Sequence, residues 1–220
     1  MISPSLKKLF FSITNPVMYA NAWFYRSFLS PNSGSVKVHL GPGQKNYLHG
    51  WINVDANIVS AKIDVWANFS YMLPFRDNSV DVFYSHHVIE HVPNLQFHFK
   101  EMYRCLKPSG VFRVGGPNGD SAIKKYVEKD VNWFSDFPQK QDSLGGRLNN
   151  LIFCAGEHLS LLTFSYLEEI CQKAGFDKPI YLCQPTSQTN FPQWISPDVL
   201  AKEWESTPDC PYTLIIEGQK

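Results

Sequence analysis

The stretch from Val36 to Asp55 constrains the fold of this chain more than any other segment. Apolar residues alternate over Val36–Leu40 and stop at Gly41-Pro42-Gly43, and a second apolar run, Trp51–Val54, stops at Asp55. This pattern predicts a strand, a glycine turn, a short irregular connection, a second strand and an acidic residue at its end. Glycine lets the backbone approach a ligand closely, and open α/β sheets bind ligands at the carboxyl ends of their strands. We therefore expect a ligand between the turn and the acidic residue.

The composition is that of a globular protein. The 220 residues are 44% hydrophobic and 18% charged, which suits one domain with a sizeable core. Lysine plus arginine and aspartate plus glutamate number 20 each, and no block of basic residues occurs. Because the chain has neither a global positive field nor a basic patch, we expect no nucleic-acid partner. The oligomeric state stays open.

Neither the cysteines nor the N-terminal residues indicate a secreted or membrane protein. The five cysteines are widely spaced and form no Cys-x-x-Cys pair, so neither a disulfide framework nor a zinc site is indicated. Lys7 and Lys8 precede a short apolar run that Asn15 and Pro16 interrupt. That run is too short for a signal peptide or a membrane span. We expect a cytoplasmic protein without an integral membrane segment.

Residues 1–35 form a separate N-terminal extension in this prediction. Their aromatic and aliphatic residues recur at roughly helical spacing, which predicts one or two helices, with Pro16 at a break or a first turn. A helix packed on the domain is the plain interpretation. A lid over the ligand, or a contact with a partner or a membrane surface, is the alternative. Ser30–Ser35 is a linker.

Residues 36–220 then form one domain in which strands alternate with helices, which favours a parallel sheet with right-handed crossovers. A helix starting at Asn94 has one apolar face and ends at Lys107–Gly110. A second helix begins with the capping box Ser165–Glu168 and ends at Gly175. Residues 118–158 are predicted as a helix-and-loop insertion over the carboxyl edge of the sheet. Further strands are predicted at Lys62–Trp66, Val80–Ser85, Val111–Val114, Pro179–Cys183 and Tyr212–Glu217.

In order and spacing, the segments from residue 36 to residue 176 resemble class I S-adenosylmethionine-dependent methyltransferases, most closely the small type 11-like group. The resemblance depends on the ordered set and not on any single piece. It implies an α/β, Rossmann-like fold with a seven-stranded, mostly parallel sheet flanked by helices, the last strand antiparallel. The segments are Leu40–Gly43, Gly50–Asp55, Leu73–Phe75, Asn78–Asp81, Ser85–His91, Leu106–Gly110, His158 and Ala174–Phe176.

The resemblance implies S-adenosylmethionine as the cofactor, held by the glycine turn and the acidic residue. Gly41, Pro42 and Gly43 would lie against the amino-acid part of the cofactor. The family usually has Gly-Cys-Gly here, and Pro42 stiffens the turn and removes one backbone N–H. Asp55 would accept hydrogen bonds from both ribose hydroxyls.

Four further residues would complete the cofactor site by the same resemblance. Asn68 and Phe69 stand where the family usually has Asp-Leu beside the adenine, and the amide oxygen of Asn68 can accept from the adenine amino group. Ser85 and His86, at the end of the fourth strand, would border the methionine end and the transferred methyl group.

A dinucleotide-binding enzyme is the competing interpretation of the turn. Such a site has a third glycine three residues after Gly43, where this chain has Asn46, and its acidic residue comes later than Asp55. The sequence therefore favours S-adenosylmethionine over a dinucleotide.

Two histidines are candidates for the chemistry. Methyl transfer to a hydroxyl is an in-line displacement that can need a base, and histidine titrates near neutrality. His87 and His158 are the candidates for the base or for binding the acceptor, with structural hydrogen bonding as the alternative for both. The spacing of His87, Glu90 and His91 would suit a metal, but it follows the family's common pattern, so we expect no metal site.

Together these features predict a cytoplasmic methyltransferase that uses S-adenosylmethionine. The acceptor is expected to be a hydroxyl of a small molecule or of a sugar or glycan precursor. This expectation is an analogy, since many members of the type 11-like group occur among cell-surface polysaccharide enzymes. The alternative is a catalytically inactive protein of the same fold that acts as a binding or scaffolding subunit.

Overall fold

The computed structural model describes residues 4–31, 33–59, 61–205, 207 and 209–220. Residues 1–3 of the predicted extension, residue 32 of the predicted linker and residue 60 lie outside these ranges, as do residues 206 and 208. The chain forms an α/β structure around one seven-stranded sheet with the order β3-β2-β1-β4-β5-β7-β6. The first five strands are parallel, whereas β7 runs antiparallel to both of its neighbours. The predicted fold class is confirmed.

The elements follow one another in this order. The strands are β1 (Lys37–Leu40), β2 (Ile52–Asp55), β3 (Val65–Trp66), β4 (Val80–His86), β5 (Leu106–Pro117), β6 (Tyr181–Cys183) and β7 (Thr213–Gln219). The α-helices are α1 (Pro4–Phe24), α2 (Leu95–Cys105), α3 (Gly119–Val127), α4 (Leu144–Phe153), α5 (Phe164–Ala174) and α6 (Pro197–Leu200). A π-helical turn (Tyr25–Leu29) extends α1, and 3-10 turns lie at Ile89–His91, Val131–Trp133 and Cys154–Gly156.

The two faces of the sheet are covered in different ways. On one face, α2 and α5 pack on apolar side chains of the central strands, and Phe83, Phe99 and Phe112 are fully buried there. On the other face, Tyr84 packs against a smaller cluster that includes Phe191 of the irregular segment 184–203. This segment therefore serves as a cover for the sheet.

A buried ion cluster anchors this irregular segment. The guanidinium of Arg113, in the middle of β5, is fully buried and donates to both carboxylate oxygens of Glu203 at 2.6 and 2.8 Å. It also donates to Glu217 of β7 at 2.7 Å and to the carbonyl oxygen of Gln188 at 2.9 Å. A buried charge is tolerated when it is paired and hydrogen-bonded in this way. The cluster thus ties the segment to two strands.

The N-terminal helix is continuous, so the predicted break at Pro16 is wrong. An internal proline removes one helical hydrogen bond and crowds the preceding turn, but contacts with the domain hold the helix on both sides of it. Before the proline, the side chain of Asn15 bonds to Asn68 and Tyr71. Met18 and Ala22 are buried, and the Asn21 amide donates to the carbonyl oxygen of Trp66 at 2.7 Å. The opposite face of the helix turns large apolar side chains to solvent: Leu9, Ile13, Val17, Trp23, Phe24 and Phe28.

Two predicted helix boundaries also change. The cap of α5 is Thr163, whose hydroxyl accepts from the Tyr166 N–H, and not the predicted box at Ser165–Glu168. Helix α2 begins after the Asn94 cap as predicted but ends at Cys105, because Leu106 already pairs with Val80 in the sheet. The predicted C-cap at Gly175 is confirmed, with φ of 114°.

Among the described residues, no helix has both the length and the apolar character needed to cross a membrane. All five cysteines are buried thiols.

Candidate functional site

A cavity of about 780 Å³ opens at the carboxyl ends of β1, β2 and β4. This is the edge at which open α/β sheets bind ligands, and the size is within the usual range for small-molecule sites, roughly 300–1,000 Å³. Its floor comes from the sheet and from the segment after β4, and α1 forms one wall through Phe11, Ser12 and Asn15. Of the predicted cofactor residues, Gly41, Asp55, Asn68 and Phe69 line it.

The glycine turn lies at the cavity because β1 ends there. Gly41 has φ of 72°, a left-handed conformation that favours glycine, and its N–H donates to the carbonyl oxygen of Val54 at 2.9 Å. A Cβ on Gly41 would lie 2.4 Å from a methyl group of Val88. Gly43 also has positive φ, but a Cβ there would meet no atom within 4 Å. Pro42, between them, is buried.

Asp55 ends β2 directly beside this turn. Its carboxylate accepts from the N–H groups of Gly43 at 3.2 Å and Asn57 at 2.9 Å. Burial raises the pKa of Asp55, while the backbone N–H groups act in the opposite direction. The carboxylate therefore bridges the turn and the second strand, and it keeps acceptor capacity toward the cavity.

Asn68 and Phe69, which follow β3, form another part of the cavity wall. The Asn68 amide donates to Asn15 Oδ1 of α1 at 3.0 Å, and its own oxygen accepts from the Ser70 N–H at 3.0 Å. Phe69 is buried, and its carbonyl oxygen lies 3.2 Å from Nδ1 of the buried His98. The contact between Asn68 and Asn15 joins the N-terminal helix to the cavity.

Ser85 and His86 lie at the end of β4, as predicted, but their side chains do not line the cavity. Ser85 is 1% exposed. Within the described part of the chain, neither its hydroxyl nor either ring nitrogen of His86 has a hydrogen-bond partner. Desolvation, aided by the nearby His87 and Arg113, lowers the pKa of His86 to about 3. A contact of these two residues with a cofactor remains a prediction.

A second cavity of about 410 Å³ adjoins the first, and His87, His91 and Glu157 line both. Its remaining walls come from the end of β5, from residues between 135 and 158, from Trp204 and from Tyr212, which directly precedes β7. Rings dominate this lining: Phe137, Trp204 and Tyr212. A ligand spanning both cavities would pass the histidines at their common edge.

His87 lies at that edge in an unusual backbone conformation. It follows β4 with φ of 53°, and its N–H donates to the carbonyl oxygen of Gly115 at 2.8 Å. The ring stacks on Trp204, with 9° between the planes, while Nδ1 lies 3.3 Å from Glu90 Oε1 and Nε2 lies 3.2 Å from the Thr213 hydroxyl. A carboxylate on one ring nitrogen and a hydroxyl on the other is a geometry suited to proton transfer.

His158 is brought to the second cavity by three successive left-handed residues, Cys154–Gly156. Its Nδ1 donates to the carbonyl oxygen of Leu151 at 2.9 Å, and its ring contacts that of His91 with centroids 5.0 Å apart. Desolvation lowers the pKa of His158, against the opposing effect of its backbone hydrogen bond. The structure therefore brings both predicted catalytic histidines to one cavity.

Several lining residues were missed by the sequence analysis. The polar residues of α1, Trp204, Tyr212 and Thr213 belong to no motif, and they come to the site only through packing of distant segments. Of these residues, Trp204 alone stood out in the sequence, because it is a large aromatic residue next to a glutamate in a segment without helical or strand periodicity.

Residues 52–114 match the family model described as a methyltransferase domain. Among curated proteins, the chain is similar to the sterol 24-C-methyltransferase of Schizosaccharomyces pombe, with 35% identity over 83 residues. That alignment includes 36% of this chain and 22% of the relative, so the chain spans less than a quarter of the relative's length.

Solved structures share the fold along nearly the whole chain. A methyltransferase from Thermotoga maritima, described as a possible histamine N-methyltransferase, aligns with a TM-score of 0.52 and 18% identity, covering 98% of this chain and 96% of that one. A methyltransferase from Archaeoglobus fulgidus aligns with a TM-score of 0.50 and 15% identity, covering 96% and 99%. At these identities the likeness concerns the fold.

The matched segment runs from β2 to most of β5 and includes the ends of β2 and β4 at the first cavity, and the shared fold extends to the rest of the sheet. Residues 52–114 are thus similar to a methyltransferase domain, and the chain shares its fold with solved S-adenosylmethionine-dependent methyltransferases along nearly its whole length.

Proposed function

We propose that this protein transfers the methyl group of S-adenosylmethionine to a hydroxyl of a small molecule or of a sugar or glycan precursor. The observation that carries the proposal is the pair of adjoining cavities, with His87 on their common edge. The first cavity has the position and lining of a cofactor site. The second has the rings and polar groups of an acceptor site.

The residues at the first cavity fit the cofactor. Gly41 and Gly43 leave its backbone edge free of side chains, and a Cβ on Gly43 would project into open space. Asp55 offers carboxylate oxygens for the ribose hydroxyls, and Asn68 with Phe69 offers an amide and an aromatic face for the adenine. When bound there, S-adenosylmethionine supplies a methyl group on a positively charged sulfur. Ser85 and His86 would support the methionine end from beneath, since they end the strand that forms the floor.

His87 is proposed as the base that takes the proton of the acceptor hydroxyl. With Nδ1–H directed at Glu90 Oε1, the lone pair on Nε2 accepts from the Thr213 hydroxyl, and the acceptor hydroxyl would take the place of Thr213 there. Glu90 would orient the ring and stabilise its protonated form, as a carboxylate does in a catalytic dyad. His158 is proposed to contact the acceptor from the other side of the same cavity.

The N-terminal extension, residues 1–35, is proposed to act as a lid on the domain formed by residues 36–220. Phe11, Ser12 and Asn15 of α1 lie over the first cavity, and hydrogen bonds to Asn68 and Tyr71 hold them there. The helices between residues 118 and 158 would serve as the acceptor-binding insertion. Opening α1 would admit the cofactor, and closing it would exclude water from the reaction.

Support for the acceptor class is chemical. Three aromatic rings in the second cavity offer flat apolar faces to a sugar or another ring, while His87, Glu157 and His158 offer polar contacts to hydroxyls. The curated relative acts on a carbon atom of a sterol and one structural relative is described as a possible amine methyltransferase. A hydroxyl acceptor is favoured over these by a histidine in place to remove a proton.

The test is calorimetric titration of the full chain with S-adenosylmethionine and S-adenosylhomocysteine, followed by release of S-adenosylhomocysteine with a panel of monosaccharides, nucleotide sugars and phenols. We expect binding of both nucleosides, and turnover that His87→Ala and His158→Ala each lower without changing cofactor affinity. No binding at millimolar ligand would leave only the inactive, scaffolding interpretation. Unchanged turnover in both variants would remove the histidines from the mechanism.

A further inference from the structure

Three side chains converge where the two cavities meet, and the proposed reaction uses only part of their chemistry. One nitrogen or oxygen atom from each of Glu90, His91 and His158 lies within 4.8 Å of the other two. His91 Nε2 lies 3.8 Å from Glu90 Oε1, and the two imidazole rings lie 5.0 Å apart. We call these three residues the Glu-His-His cluster.

Hydrogen bonds fix which nitrogen of each histidine faces the cluster. His91 Nδ1 lies 2.9 Å from the carbonyl oxygen of Glu157, and His158 Nδ1 lies 2.9 Å from that of Leu151. A carbonyl oxygen only accepts, so each Nδ1 carries the hydrogen and each neutral ring has its lone pair on Nε2. Histidines that bind metals through Nε2 are held in this same way, with Nδ1–H on a backbone carbonyl.

Glu90 adds a buried carboxylate with one unsatisfied oxygen. The residue is 1% exposed, and Oε2 has no hydrogen-bond partner among the residues that the structure describes. Gly116 provides the room, since a Cβ there would lie 2.9 Å from that oxygen. The other oxygen, Oε1, lies 3.8 Å from His91 Nε2 and 3.3 Å from His87 Nδ1, so Glu90 brings a buried carboxylate to the edge of the cluster.

The atoms at the centre of the cluster are all acceptors. Two imidazole lone pairs and a carboxylate oxygen repel one another unless a cation lies between them. A single proton would join only one pair and leave the third atom without a donor, whereas a divalent ion would satisfy all three. Two histidine nitrogens and one glutamate oxygen are also a ligand set of catalytic zinc sites, which keep a fourth position open.

We propose that Glu90, His91 and His158 bind a divalent transition-metal ion of the zinc type. Metal bonds of about 2.0–2.2 Å require the ligand atoms to lie closer together than the 4.8 Å limit. His91 can make this adjustment, because 42% of its side chain is exposed. The backbone already couples the two histidine segments, since the Leu159 N–H donates to the carbonyl oxygen of Glu90 at 2.7 Å.

The role of the ion, though not its binding, rests on the proposed function. All three ligands line the second cavity, so the open position would face the acceptor. There the ion would hold the acceptor oxygen and ease loss of its proton to His87 Nε2. The oxygen then bonds to the methyl carbon as the carbon–sulfur bond breaks, and its electron pair passes to the sulfur, which becomes neutral. The proton stays on His87.

The experiment measures metal binding without cofactor or acceptor. The full chain is stripped with a chelator and titrated with Zn²⁺ by calorimetry and with Co²⁺ by visible absorption. We expect one ion per chain, with the intense visible bands of low-coordinate Co²⁺. His91→Ala should lower the affinity at least about tenfold, as should Glu90→Gln, which keeps the size of the side chain but removes its charge. His49→Ala, at an exposed histidine outside the cluster, should bind as the natural chain does.

Three outcomes would overturn the proposal: no binding of either ion at micromolar concentration, equal affinity in His91→Ala, or an equal loss in His49→Ala. His91 is partly exposed, so its variant should fold, and circular dichroism checks this. The titration contains no S-adenosylmethionine. A protein that binds zinc but no cofactor would therefore contradict the proposed function alone, and the reverse result would contradict the metal site alone.

Discussion

The two cavities are built in different ways. The first takes its floor from consecutive strand ends and their turns between residues 41 and 93, so its shape follows from local sequence and the parallel sheet. The second gathers residues from the end of β5, the 118–158 region, Trp204 and Tyr212, which are far apart in the chain. The first cavity, the proposed cofactor side, therefore depends on backbone geometry, whereas the second, the proposed acceptor side, depends on how separate segments are held together.

The largest effect should come from the buried ion cluster that holds the acceptor side. Arg113→Ala leaves two buried carboxylates, Glu203 and Glu217, without their cation, which should lower the free energy of unfolding by about 3–5 kcal/mol. Chemical denaturation measures this loss. Arg26→Ala, at a partly exposed pair with Asp77, is the matched control and should cost at most about 1 kcal/mol. Equal losses would mean that the buried cluster has no special role.

Acid should lower the free energy of unfolding through two buried histidines, His39 and His98. Desolvation lowers the pKa of His39 and of His98 to about 4, despite their hydrogen bonds to Asn53 and Phe69. The unfolded chain takes up these protons near pH 6.5, whereas the native chain takes them up only near pH 4. The free energy of unfolding should therefore fall as the pH is lowered from about 6.5 to about 4. The loss is up to about 3 kcal/mol for each histidine.

Denaturation at pH 7.5, 6 and 5 checks this dependence. His98→Gln, whose amide can still donate to the Phe69 carbonyl oxygen, should show a shallower slope than the natural chain. His49→Gln, at an exposed position, should keep the slope. A slope unchanged by His98→Gln would show that this histidine does not stay neutral in the native state.

A smaller effect should separate the two glycines of the turn. Alanine at either position is strained by positive φ, but at Gly41 its Cβ would also lie 2.4 Å from Val88, whereas at Gly43 it would meet nothing. Gly41→Ala should therefore destabilise the protein more than Gly43→Ala, by about 1–3 kcal/mol for the overpacking. Thermal unfolding of the Gly41→Ala and Gly43→Ala variants measures this difference. Equal melting temperatures would mean that the Val88 side chain moves aside at no cost in free energy.

The sequence predicts the sheet and the strand ends at the first cavity because local rules determine them. Alternation, the glycine turn and Asp55 fixed β1, the turn and β2 within a single short stretch, and the fold class followed from the ordered segments. Pro16 misled the prediction because burial of Met18 and Ala22 outweighs the hydrogen bond that a proline removes. Local preference was overruled there by tertiary packing.

The acceptor side could not be predicted in the same way. Trp204 stacks on His87 only because Glu203, its neighbour, is held by Arg113 from the middle of β5. The spacing of apolar residues along the sequence does not predict a contact between residues so far apart. The Glu-His-His cluster likewise needs the left-handed turn before His158, which brings that residue to Glu90 and His91.

The most direct test of the two-cavity account is the affinity for S-adenosylhomocysteine, measured by calorimetry in two variants. Asp55→Ala removes a carboxylate acceptor from the first cavity and should raise the dissociation constant about 10–100-fold, as expected for loss of hydrogen bonds to a charged group. Trp204→Ala, in the second cavity alone, should leave it within about twofold. An unchanged constant in Asp55→Ala, or an equal loss in Trp204→Ala, would contradict the account.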